Sequence, residues 1–173
     1  MVADDANVLW ELWSDPEHHM LTNDFPLPVE SLAARRARLE RSLAERDVSA
    51  ARFTAETIVD GTVIGTCGLS RLDAYNQFGH LAISVLPAAR GQGYGKEMVG
   101  LLCYYGFRFR NLHRIELETL ASNAAMRKLA ESCGFVLEGV LREQAYDGDG
   151  FSGVALYGLL RQEWRVSLRT GSR

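Results

Sequence analysis

Apolar positions along the chain follow a helical rhythm first and a strand rhythm later. Val8, Leu9, Leu12 and Trp13 recur on one side behind Asp4-Asp5, which predicts a capped helix closed by Asp15-Pro16. His18 to Pro28 holds two prolines and no period, so a loop is expected there. Pro28 and Glu30 open a second helix, rich in Ala, Arg, Leu and Glu, to about Arg46; its charges read as a solvated face. The period then drops to two. Phe53, Ala55, Thr57 and Val59 alternate with Arg52, Thr54, Glu56 and Ile58, Asp60-Gly61 supplies a tight turn, and residues 62–72 return as a second strand. Leu81, Ile83 and Val85 mark a third strand, ended by Pro87.

A helix from about Lys96 to Phe109 follows, with Met98, Leu101, Leu102, Tyr105 and Phe109 as its apolar stripe. His113–Leu120 reads as a strand and Ala124–Ser132 as a short helix, with Gly134 as its left-handed terminator. Phe135–Tyr146 and Phe151–Leu160 are the closing strands, joined by Asp147-Gly148-Asp149-Gly150; the polar tail after Trp164 is expected to fray. The sum is one α+β domain over residues 1–173 around a central sheet.

Composition narrows the function classes. A chain of 173 residues with 47% hydrophobic and 24% charged residues can bury a core without disulfides or metals. The formal net charge of −3 argues against a nucleic-acid surface. Cys67, Cys103 and Cys133 form no Cys-x-x-Cys pair and read as free thiols in a reducing cytoplasm. His18, His19, His80 and His113 lack metal-ligand spacing, so no metal is expected. No signal peptide or run of membrane-spanning length is apparent, which predicts a cytoplasmic protein without a membrane partner.

The chemistry is concentrated between Leu81 and Gly95. There a strand passes into the turn Arg90-Gly91-Gln92-Gly93-Tyr94-Gly95, and the turn into a helix N-terminus. Such a turn aims several backbone N–H groups one way, and the helix adds unpaired donors and the positive end of its dipole. Together they suit a pyrophosphate, and glycine lets the backbone approach it closely. The Walker pattern fails because Gly95-Lys96 is followed by Glu97, and the dinucleotide pattern fails because Gly91-x-Gly93-x-Gly95 has the wrong last spacing. Glycines also serve turns alone, so the segment by itself leaves a purely structural role open.

Arg90 to Gly95 resembles the Arg/Gln-x-x-Gly-x-Gly/Ala motif of the GNAT superfamily of N-acetyltransferases. Val85-Leu86-Pro87 resembles the end of that family's fourth strand, and Ser122-Asn123-Ala124-Ala125 and Gly134-Phe135 resemble its downstream signatures. Glu138–Arg142 and Leu156–Leu160 through Trp164 resemble the closing strands of the branch containing the ribosomal-protein N-terminal acetyltransferases. The resemblance covers roughly residues 50–164. It implies a single domain with a mixed, mostly antiparallel sheet, splayed between the family's fourth and fifth strands and flanked by helices. On this chain those strands are Phe78–Leu86 and His113–Leu120, with a cofactor-binding core at about 78–135 and acceptor-side helices at about 4–46. The family opens with a strand, whereas here Asp4-Asp5 already starts a helix.

The resemblance also implies roles. Acetyl-CoA would enter as co-substrate, its pyrophosphate on the N–H groups of Arg90, Gly91, Gln92, Gly93, Tyr94 and Gly95. Ile83, Ser84 and Val85 would pair with the pantetheine arm as an added strand does. An N–H near Val85 would polarise the thioester carbonyl and stabilise the oxyanion. Asn123 would touch the cofactor, cap the following helix, or both. Glu118 is the candidate base that deprotonates the amine, with Glu116 on the same strand face; both could equally be cross-strand ion-pair partners. Ala130 stands where many members carry a tyrosine acid, leaving Tyr157 and Tyr146 as substitutes that read better as core. Trp10, Trp13, His18, His19, Asp24 and Phe25 lie where acceptor specificity should sit, although burial is the simpler expectation for the tryptophans. The acceptor is expected to be a primary amine: a peptide N-terminus, a small polyamine or an aminoglycoside-like molecule. A homodimer stays open. A non-catalytic acyl-CoA-binding module is the alternative from another class.

Overall fold

The computed structural model describes residues 1–22, 27–45, 47–147 and 149–164. Helices α1 (Asp5–Trp13), α2 (Pro16–Thr22) and α3 (Leu32–Ala44) precede strands β1 (Ala51–Glu56), β2 (Val63–Asp73) and β3 (Phe78–Val85). A 3-10 turn at Pro87–Ala89 leads to α4 (Tyr94–Arg108), β4 (Arg114–Leu120), α5 (Ala124–Ser132), β5 (Val136–Tyr146) and β6 (Phe151–Leu160). The sheet runs β1-β2-β3-β4-β6-β5, antiparallel throughout except between β3 and β4.

That single parallel junction positions the site. β3 and β4 pair only at Phe78 with Arg114, Gly79 with Ile115 and His80 with Glu116. β4 then pairs along its whole length with β6, and β3 continues to Val85 on β2 alone. A wedge therefore opens between β3 and β4 beyond His80. This is the expected splay, falling between the third and fourth strands because the described chain has no strand before α1.

On one face α4 and α5 bury Leu81, Val99, Leu102, Phe107, Ile115 and Leu117 in the main core. Gly106 lets α4 sit close, since a Cβ there would press on side chains of Leu69, Leu112 and Ile115. A second cluster joins Leu9 and Leu12 of α1 to Ile64, Leu86, Ala89 and Met98 at the open end of β3.

Several local expectations change. His18–Pro28 is not all loop: Pro16 sits at the first position of α2, where its missing N–H costs nothing. Asp4 makes no capping bond, whereas buried Asp5 accepts from the Val2 N–H at 2.7 Å and the Thr54 hydroxyl at 2.5 Å, tying α1 to β1. Ser31, not Pro28, caps α3. β1 stops at Glu56 because Thr57 bonds Asp60 and the Thr62 backbone, leaving Ile58 and Val59 exposed in the turn. Asp24, Phe25, Arg46, Gly148 and the tail after Trp164 lie outside the described residues.

Candidate active site

The wedge is the wall of a cleft of about 860 Å³. β3, the glycine turn, α5 and α2 all contribute to its lining, among them Ile83, Ser84, Val85, Gly93, Asn123 and His18. At its mouth Gly91 and Gly93 adopt left-handed backbone, φ 75° and 89°. The N–H groups of Gly91, Gln92, Gly93, Tyr94 and Gly95 have no partner among the described residues, while those of Lys96 and Glu97 reach back to the Gly93 carbonyl at 3.0 and 3.4 Å, and that of Arg90, expected among the free donors, closes the 3-10 turn on the Pro87 carbonyl at 3.2 Å. Five consecutive free donors at a helix start form an anion cradle. Space for an occupant exists, because a Cβ on Gly91 or Gly93 would meet nothing within 4 Å. Two side chains brace the turn from behind: Arg90 Nε donates to the Val85 carbonyl at 3.1 Å, and Gln92 Nε2 to the Ala88 carbonyl at 2.9 Å.

Strand alternation decides which groups of β3 face the wedge. The Leu86 N–H donates to the Ile64 carbonyl at 2.9 Å, so Leu86 faces β2, and with it the backbone of Ser84 and Ala82. The backbone groups of Ile83 and Val85 therefore point toward the gap. Nearby, Gly65 passes so close to β3 that a Cβ would collide with the Ser84 carbonyl oxygen, which locks β2 onto this stretch.

Ser84 contributes its hydroxyl instead. It lies 3.1 Å from Nε2 of His18, which α2 carries over the sheet face opposite α4. Burial, then the Arg90 cation, push the His18 imidazole below its ordinary value, against the opposing pull of Asp15. His18, one of the acceptor-side candidates, thus stands neutral beside the strand end, in a pairing with Ser84 that its sequence context did not show. His19 is buried and also lines the cleft.

At the fork His80 lies between the two glutamates, Nε2 at 2.7 Å from Glu116 and Nδ1 at 3.5 Å from Glu118. Glu116 is also held by Arg114 at 2.8 Å, which in turn grips Glu138 at 2.6 Å. Glu116 is thus tied into an ion-pair ladder and does not line the cleft. Glu118 does line it, with only loose contacts, to His80 at 3.5 Å and to Arg71 at 3.6 Å.

Asn123 caps α5, its Oδ1 accepting from the Met126 N–H at 3.1 Å, and lines the cleft as well. Tyr157 is sealed in the core, its hydroxyl between Arg127 at 3.2 Å and Glu131 at 3.0 Å. Tyr146 is exposed on the β5–β6 hairpin rather than core, and Ala130 is fully buried. Trp13 is only half-buried and lines the cleft beneath Arg35, whose guanidinium lies 4.3 Å over its ring; Trp10 does not reach the cleft.

Known proteins share this architecture. Residues 1–136 match the family model described as Acetyltransferase (GNAT) domain. An uncharacterized N-acetyltransferase of Bacillus licheniformis is 32% identical over 164 residues, 95% of this chain and 92% of that protein. The spermidine N(1)-acetyltransferase of Vibrio cholerae is 26% identical over 113 residues, 65% of this chain and 65% of that protein. The crystal structure of spermidine N-acetyltransferase from Vibrio cholerae in complex with CoA and spermine superimposes with a TM-score of 0.85 at 22% identity, covering 95% of this chain and 94% of that one, which is a likeness of fold.

Proposed function

The chain belongs to the GNAT acetyltransferase family and is an N-acetyltransferase that uses acetyl-CoA, and from that premise we propose that its acceptor is the primary amine of a peptide N-terminus. The observation that carries the site is the wedge beyond His80 with five free N–H groups at its mouth. Those amides, from Gly91 to Gly95, take the diphosphate, with Arg90 and Gln92 bracing the turn. Ile83 and Val85 turn backbone groups into the gap and pair with the pantetheine arm, and the Val85 N–H polarises the thioester carbonyl. Asn123 adds an edge contact from α5. The amine approaches from the α2 face, where Ser84 and His18 meet, and Glu118 accepts its proton. No tyrosine stands ready for the leaving thiol among the described residues lining the cleft apart from Tyr94 at its mouth, so positioning and the carbonyl contact supply most of the rate.

The peptide reading draws on the closing-strand resemblance. A polyamine is the second reading, favoured by the spermidine-acetylating relative and by Asp15, Glu17 and Glu118 on the lining. Free Cys67, Cys103 and Cys133 favour a reducing cytoplasm. Val136, Leu137, Val140 and Leu141, exposed along the edge strand β5, support a homodimer. Thiol release from acetyl-CoA across peptides, polyamines and aminoglycosides tests the acceptor. Turnover is expected on peptides; CoA binding with no turnover on any amine would make the chain a binding module instead.

A further inference from the structure

A second cavity, of about 580 Å³, opens on the α3 side of the sheet. It shares Trp13, Arg35, Ser70, Ala82, Ile83 and Ser84 with the acetyl cleft, so the two adjoin. The two ends differ in their carboxylates. The cleft end sets Asp15, Glu17 and Glu118 among Arg71, Arg90 and Lys96. The cavity end holds Arg35, Arg38 and Arg52 and no acidic residue among its lining residues.

The arginines at that end are under-neutralised. Arg35 Nη1 and Arg38 Nη2 lie 3.2 and 2.7 Å from one and the same oxygen, Oε1 of Glu30. Two guanidiniums therefore share a single carboxylate, and among the described residues one positive charge is in excess. Arg52 meets Oδ2 of Asp47 at 3.4 Å and is matched by it, so the excess lies on the Arg35–Arg38 pair. Each guanidinium has five N–H donors in a planar fork, of which Glu30 takes one from Arg35 and one from Arg38. Arg35 is also held in place by its stacking on Trp13, which lowers the entropy lost when it binds an anion. A polycation laid along this groove would bring like charge against the fork. A molecule with an amine at one end and a carboxylate at the other would satisfy both ends.

We infer that the acceptor is an acidic peptide N-terminus: its α-amine reaches the Ser84–Glu118 end, and a carboxylate in its first residues is gripped by Arg35 and Arg38. The inference rests on the acetyl-transfer reading above. The transfer balances as amine plus thioester giving amide plus thiol: the N–C bond forms, the C–S bond breaks, and the amine proton lost to Glu118 is matched by one taken up by the departing thiolate.

The test pairs three peptides that differ only at the second residue (Asp, Asn, Lys) with spermidine, measured for binding to the CoA-loaded enzyme and for turnover. The Asp peptide is expected to bind most tightly and to show the highest kcat/KM, on the order of tenfold over Asn. In Arg38→Gln, on the exposed face of α3, that Asp-to-Asn ratio is expected to fall toward one; Arg35→Lys, which keeps the charge but loses the fork, should lower it as well. Free aspartate, as a further arm, separates recognition of a peptide from recognition of any carboxylate-bearing amine: acetylation of aspartate in preference to the peptide overturns the peptide assignment. Equal turnover on all three peptides, or preference for Lys or spermidine, overturns the subsite while leaving acetyl transfer standing. Tight binding of the Asp peptide without acetylation does the reverse. No binding of the Asp peptide overturns the subsite whatever the turnover.

Discussion

Gly93→Asp is the sharpest test of the anion cradle. Gly93 sits at φ 89° at the start of α4, and a Cβ built on it meets nothing within 4 Å, so the variant should fold. An L-residue in left-handed backbone costs about 1 kcal/mol, less for Asp than for most. That strain is present with or without ligand, so it lowers stability and leaves the dissociation constant alone. The affinity loss has another source. A carboxylate ~5 Å from a diphosphate of two negative charges, in a half-exposed loop of effective dielectric ~60, repels it by ~1 kcal/mol per charge, or ~2 kcal/mol. Pushing one amide out of hydrogen-bond reach adds ~1 kcal/mol, and ~3 kcal/mol corresponds to roughly a hundredfold in Kd. Calorimetric titration with CoA reads this directly. Gly61→Asp is the control: its φ of 70° and open surroundings match, but it lies in the β1–β2 turn. Gly61→Asp should lose stability and keep CoA affinity. A folded Gly93→Asp that binds CoA within threefold of the parent would refute the cradle.

Glu118→Gln should lower kcat about a hundredfold while CoA affinity holds, and should flatten the acid limb of the pH–rate profile; an unaltered profile would remove Glu118 from proton transfer. His18 adds a stability slope. Its folded value is depressed below 6.5, so the unfolded chain takes up the proton first; stability is whole above about 6.5 and declines as pH falls toward the lowered value. Urea midpoints at pH 7.5 and 5.5 should differ less in His18→Gln than in the parent, and an equal difference would count against a buried neutral imidazole. Burial pushes Cys67 up to about 11 and Cys103 up to about 12. Both thiols should therefore resist a disulfide reagent at pH 8 until guanidinium unfolds the chain, and fast labelling of the native protein would contradict their packing.

How much was legible depended on whether the signal was local. Phe53 and Ala55, Leu81 and Ile83, and Met98, Leu102 and Tyr105 announced their elements because period and burial coincide there, whereas Leu101 and Phe109 of the same expected stripe are exposed. The start of α4 was displaced by two residues, since Gly93 and Gly95 read as breakers although Gly93 is the N-cap. α2 was missed because seven residues carry too little period, although Pro16 and Glu17 held the start signal. The Arg-rich face of α3 read as solvated; only its packing shows Arg35 on Trp13 and two guanidiniums on one Glu30 oxygen. The glycine turn was legible because its chemistry lies in backbone conformation. The pairing of His18 with Ser84 was not, because it joins residues 66 positions apart.

The wedge itself follows from a competition for β4. All seven residues from Arg114 to Leu120 pair with β6, running from Leu160 back to Val154, and only the first three also meet β3. β3 loses its partner at the point where His80 and Glu116 face each other, and the ring held by Glu116 and Glu118 fills the fork with polar side chains. Beyond it the backbone groups of Ile83 and the N–H of Val85 face the gap with no strand to satisfy them, the Val85 carbonyl being taken by Arg90 Nε, while Gly95 and Leu129 close the α4–α5 side. The gap is therefore set by the register of the sheet and exists before any ligand arrives. On the proposed reading, a cofactor arm entering it would supply the missing strand and meet groups already held in place, with little ordering cost to binding. Extending the β3–β4 pairing by one residue pair past His80 and Glu116 would begin to close the cleft, which is why the ion pairs at the fork matter to a site whose other parts are made of backbone.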